Sequence, residues 1–167
     1  MKDLVTMRFE SELQASAEEV WTWMTSIHGI SLEMSPYLRM TVPQGFLTLA
    51  DAKFQPGRRL FRSWLKLFGV LPIDYSDLTL LTLDPGVGFI EQSPMGSMRL
   101  WRHERRIESK PGEPARVMLI DQLTFSPRLA RPLVAWLVRY FFAHRHRVLR
   151  RTFSTGDGTG PNSGRKC

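Results

Sequence analysis

The chain has 167 residues, 43% of them hydrophobic, and a formal net charge of +7. That length fits one domain, and that composition can bury a full core. No apolar run reaches the roughly eighteen residues of a transmembrane helix, and MKDLVTMRFE lacks the basic-then-apolar pattern of an export signal, so a cytoplasmic protein is expected. Cys167, the single cysteine, excludes a disulfide within the chain and a cysteine metal cluster.

In chain order, VTMRFESEL at 5–13 alternates: Val5, Met7, Phe9 and Leu13 on one face, Thr6, Arg8, Glu10 and Glu12 on the other. That predicts a half-buried strand. Ser16-Ala17-Glu18-Glu19 has capping-box spacing, so a short helix follows, with Val20, Met24 and Ile27 facing the core. A second short helix or irregular segment is expected to end near Ser35-Pro36, with a short strand at 38–42. From Gly57 the pattern becomes antiparallel sheet, with strands near 58–68, 73–83, 87–93, 98–108 and 116–125. The punctuation is Gly69, Leu71-Pro72, Asp84-Pro85-Gly86, Pro94-Met95-Gly96 and Lys110-Pro111-Gly112.

Pro132 then opens a long helix ending near Phe153. Leu133, Leu137, Phe141, His144 and Val148 form one stripe, and Val134, Val138, Phe142, Arg145 and Leu149 form another beside it. Two adjacent stripes are too broad for a helix resting on one neighbour, so the helix is expected to lie in a concave sheet. Strands grouped between terminal helices indicate α+β. STGDGTGPNSGRKC, at the end, is polar and rich in Gly and Ser. It predicts a disordered tail over 154–167 after a domain at 1–153.

FESELQASAEEVW at 9–21, LKLFGVLPIDY at 65–75, GFIEQSPMGSMRLWRHERRIE at 88–108 and FFAHRHRVLRR at 141–151 together resemble the START-like, or SRPBCC, superfamily, which includes polyketide-cyclase-like proteins. The resemblance spans about residues 5–153, and Asp121 sits where the family often has an Asp in the strand before the last helix. Departures occur at His144, where the family branch often has tyrosine, and at Ser126-Pro127-Arg128, where a glycine is common. The resemblance implies a helix-grip fold: a curved antiparallel sheet around the long C-terminal helix, two short helices after the first strand, and an apolar cavity between sheet and helix. It does not imply one reaction.

A hairpin between the 98–108 and 116–125 strands predicts Ile107 against Val117, Arg105 against Leu119, His103 against Asp121 and Trp101 against Leu123. An Asp facing a His orients the imidazole, so His103 and Asp121 are either an acid/base pair in a pocket or a structural pair within the sheet. Trp64, Trp101, Trp136, Phe9, Phe125, Phe141, Met24 and Met118 could line a cavity or pack a core. Candidate ligand contacts are Trp101, His103, Asp121, Arg62, Trp64, Arg99, Leu137, Phe141 and His144. The expected ligand is a small hydrophobic or amphipathic molecule. The alternatives are a cyclase- or hydrolase-type enzyme and an interaction module using the basic helix.

No Asp or Glu occurs between Gln122 and Gly156, whereas Arg128, Arg131, Arg139, Arg145, Arg147, Arg150 and Arg151 do. Late arginines complement a helix dipole; they also suit an anionic membrane surface or an acidic partner. The absence of a recognised binding motif argues against nucleic acid. His28, His144 and His146 lack metal-ligand spacing, Gly86-Val87-Gly88 is a turn and not a dinucleotide loop, and no cofactor is expected.

Overall fold

The computed structural model describes residues 4–154. In chain order the elements are β1 (Val5–Leu13), α1 (Ala17–Thr25), α2 (Ile27–Met34), β2 (Leu38–Met40), β3 (Arg59–Leu67), β4 (Leu71–Asp84), β5 (Gly88–Gln92), β6 (Met98–Lys110), β7 (Glu113–Pro127) and α3 (Arg131–Ser154). One seven-stranded sheet, ordered β1-β7-β6-β5-β4-β3-β2, pairs antiparallel at every step. It forms a curled half-barrel behind α3, an α+β helix-grip architecture. The expected tail falls on residues outside the described ones, apart from Ser154, which ends α3.

The local signals act where expected. Ser16 caps α1: its Oγ accepts from the Glu19 amide at 3.2 Å and the Glu19 carboxylate accepts from the Ser16 amide at 2.8 Å. Ser26 ends α1 and caps α2, where Gly29 fits because a Cβ would lie 2.3 Å from the Trp23 carbonyl oxygen. Gly88 admits a similar approach, since a Cβ there would lie 2.2 Å from the Arg105 carbonyl oxygen.

The hairpin register differs from the predicted one by two residues. Arg105 pairs with Asp121, His103 with Leu123 and Trp101 with Phe125. The slip arises at the β6–β7 turn, where a shift between Ser109 and Lys110 sets Lys110 against Glu113. A shift of two keeps every side chain on its predicted face, but it exchanges Leu119 for a carboxylate opposite Arg105.

The double stripe of α3 is also corrected. Phe142, Arg145, His146 and Leu149 are the buried residues, and they belong mostly to the second stripe. Leu133 and Leu137, from the first, are 56% and 49% exposed. α3 packs on β1, β7 and α2, and leaves its N-terminal half uncovered on one side.

Two apolar clusters flank the middle of this interface. One gathers Leu13, Val20, Met24, Leu80, Phe89, Ile107, Leu119 and Leu149 beneath α1. The other gathers Met7, Met98, Leu123, Phe125 and Phe142, with Met95, Trp101, Val138 and Phe141 packed against it.

Candidate functional site

Between those clusters runs a belt of buried charge. On the inward face of the sheet, Phe9 of β1, Asp121 of β7 and Arg105 of β6 are in register side by side. Arg105 donates from Nε and Nη2 to the two oxygens of Asp121, each at 2.7 Å, and from Nη1 to Glu33 of α2 at 2.9 and 3.1 Å. Arg145 of α3 donates from Nε and Nη2 to Glu33 Oε2 at 3.0 and 2.8 Å. Trp23 Nε1 donates to Glu33 Oε1 at 3.1 Å. Asp121 and Glu33 are each 0% exposed. Two carboxylates thus meet two arginines, and their formal charges cancel inside the fold.

Two histidines bond to Asp121, His103 as expected and His146 as well. His103 Nε2 donates to Oδ1 at 2.7 Å and His146 Nε2 to Oδ2 at 2.9 Å. The donors behind His146 run one way: Arg150 donates to Ser11 Oγ at 2.9 Å, and the Ser11 hydroxyl lies 2.8 Å from His146 Nδ1. Behind His103, Glu91 lies 3.8 Å from Nδ1. The other Glu91 oxygen accepts from Ser93 Oγ at 2.6 Å.

This packing decides the protonation of the belt. Burial alone would raise the Asp121 carboxyl, but the Arg105 guanidinium, and after it the hydrogen-bonded His103 ring, hold it well below the usual carboxylate range. Burial would likewise lower the Arg105 guanidinium, yet Asp121 and Glu33 beside it hold it above its ordinary value. With both oxygens of Asp121 engaged by Arg105 and by the histidines, the carboxylate has neither the basicity nor a free lone pair suited to proton transfer. Within the predicted pair, only His103 has a ring nitrogen facing away from Asp121.

The other predicted contacts divide. Trp101 and Phe141 pack together in the second apolar cluster, where Trp101 lies 6.2 Å from Phe142 and His103 5.3 Å from Phe142, centroid to centroid. His144 turns aside, its Nε2 2.7 Å from the Ser35 carbonyl oxygen and its ring 4.8 Å from Tyr37. Arg62 and Trp64 are not brought to the interior. Arg62 forms a two-pronged bond with Asp77 at 2.7 and 2.9 Å and lies over Tyr75, and Trp64 also meets Tyr75, on the face opposite Ser63. Arg99 is exposed.

Sequence reasoning missed Glu33, Arg105, Arg145, His146 and Ser11 as members of the belt. It also missed Ser63 and Ser76, which pair across β3 and β4. Both are buried, and neither hydroxyl has a hydrogen-bond partner among the described residues. Ser76 bridges Met95, a residue of the Trp101 and Phe141 cluster.

These features define a helix-grip fold, and solved structures share it. The chain is similar to the Zhui aromatase/cyclase from Streptomyces sp. R1128 (TM-score 0.64, 13% identity, covering 90% of this chain and 94% of that one). It is also similar to a START superfamily protein from Mycobacterium smegmatis (TM-score 0.60, 12% identity, 89% and 97%). A protein from Chromobacterium violaceum has the same fold at TM-score 0.66, 13% identity, 89% and 96%. Among curated proteins none matches the chain significantly. The chain belongs to the family described as Domain of unknown function (DUF8410), whose profile matches residues 11–153.

Proposed function

We propose that the chain binds a small hydrophobic or amphipathic molecule between the sheet and α3, on the side of the Trp101–Phe141 cluster. The pair of orphaned hydroxyls, Ser63 and Ser76, carries this reading. Folded proteins leave few buried polar atoms without a partner, because each costs about 1–3 kcal/mol of lost hydration. Two such hydroxyls opposite one another on the inner face, beside an apolar cluster, suit a ligand carbonyl or hydroxyl. Trp101, Phe141 and Met95 would desolvate its apolar part, and His103 would stand at the edge of the charged belt as a polar contact. The helix-grip fold of the Streptomyces aromatase/cyclase and the START superfamily protein supports the same class of ligand.

Native mass spectrometry of protein purified from its own host is expected to show a retained molecule. Ser63→Ala combined with Ser76→Ala is expected to lose it while leaving the melting temperature equal or higher. Unliganded wild-type protein whose double variant is only more stable would mean that the hydroxyls are a structural cost without a ligand role.

A further inference from the structure

The N-terminal half of α3 and the β3–β4 hairpin end at the same edge of the fold, and both expose large apolar side chains. Phe68 is 62%, Val70 77% and Leu71 58% exposed on the hairpin, and Leu129 is 82% and Trp136 60% exposed at and beyond the start of α3. The two parts are joined. The Phe68 amide donates to the Tyr37 carbonyl at 2.8 Å, the Tyr37 hydroxyl lies 2.9 Å from that of Tyr140, and Tyr140 stacks on Trp136 with centroids 6.0 Å apart. Next to Trp136 an open hollow of about 490 Å³ continues the surface toward β1.

Phe68 adds a separate observation. Its φ is +50°, a left-handed conformation that costs a bulky residue about 1–2 kcal/mol and that glycine or asparagine adopts more easily. The backbone is strained to hold an aromatic ring out into solvent, which points to a role for the ring outside the folded core.

The surrounding charge is positive. Arg39, Arg128, Arg131 and Arg139 are exposed near this edge, and Lys66 is half-buried. The sequence has no acidic residue between Asp51 and Asp74 or between Asp121 and Asp157. The Asp74 carboxylate is turned to Ser97 and to the Tyr75 amide.

We propose that this rim docks on an anionic lipid bilayer, with Phe68, Val70 and Trp136 entering the headgroup–acyl boundary and the cations meeting lipid phosphates. Apolar side chains ringed by arginine and lysine match an interface that is apolar beneath and negative above. A symmetric pair of copies joined through this rim would set the same arginines against one another. Arg147 and Arg150 lie further along α3, in its C-terminal half, and the proposal does not depend on the pocket.

The test is co-sedimentation with phosphatidylcholine vesicles, with and without phosphatidylglycerol. Wild-type protein is expected to bind the anionic vesicles at low salt, more weakly at high salt, and to bind pure phosphatidylcholine poorly. Phe68→Asp with Val70→Asp, and separately Leu133→Asp on α3, should each lower binding at least about tenfold, with the melting temperature retained because all three sites are exposed. Absence of binding by the wild type, or full binding by both variants, would overturn the proposal. So would a concentration-dependent dimer that the same substitutions dissociate, without vesicle binding. Ligand retention in native mass spectrometry reports on the pocket alone, so failure of one proposal is distinguishable from failure of the other.

Discussion

Glu33→Gln tests the charged belt directly. One Glu33 carboxylate accepts from Arg105, Arg145 and Trp23, all within 3.1 Å, and none of its surface reaches water. The substitution keeps the side-chain shape. It removes the negative charge and points an amide donor at groups that are donors themselves. Arg105 retains Asp121, so the uncompensated charge falls mainly on Arg145. Breaking a buried pair from one side costs about 3–5 kcal/mol. That is a large share of the roughly 5–15 kcal/mol of a typical domain, and it corresponds to a fall in Tm of about 6–20 °C at this size. Arg145→Met alone leaves Glu33 bonded to Arg105 and should cost less. The double variant removes one charge of each sign, so it should be more stable than the sum of the singles requires, by at least about 1 kcal/mol. Urea unfolding of the four proteins measures the cycle. A Glu33→Gln cost below about 1 kcal/mol, or strict additivity, would refute the claim that the belt is a coupled structural unit.

The depressed Asp121 carboxyl gives a pH prediction. Its contribution to stability is present above the ordinary Asp value of about 3.9 and is lost as pH falls from there through its lower folded value. The urea midpoint should therefore drop below about pH 4, and Asp121→Asn should flatten that part of the profile; an identical slope in the variant would contradict the assignment. Gly88→Ala drives a Cβ to within 2.2 Å of the Arg105 carbonyl oxygen and should destabilise by about 1–3 kcal/mol, seen as a lower Tm, whereas a neutral result would mean β5 can move away from β6 at no cost. Phe68→Asn should relieve a strained φ and raise stability by about 1 kcal/mol while weakening vesicle binding; no gain in the unfolding midpoint would deny the strain. Ser16→Ala removes half of the α1 capping box and should cost about 1 kcal/mol by the same measurement.

The α+β class, the order of elements, the faces of β1 and the shared face of the β6–β7 pairs were legible in the sequence, because alternation, Gly/Pro punctuation and the Ser16 capping box are local signals. The resemblance to the helix-grip class rested on stretches whose order the fold preserves. His103 and Asp121 were placed within reach of each other, and they do bond, although as diagonal neighbours and not as a direct pair. Alternation had already put Arg105 on the inward face beside Trp101, His103 and Ile107, and a lone arginine among core positions was a signal for a buried counter-ion. Arg145 sat in the buried stripe of α3 in the same way.

What no local pattern could supply was the identity of the partners. Glu33 lies 72 residues from Arg105 and 112 from Arg145, and Ser11 lies 135 from His146. Such pairs exist only once α2 and α3 close over the sheet, where the low dielectric makes an unpaired charge untenable and selects the one arrangement that neutralises all four. The same closure decided which stripe of α3 is buried and which stays in solvent. A helix stripe declares that it is apolar, but only the curvature of the sheet opposite it determines how far along the helix the cover extends.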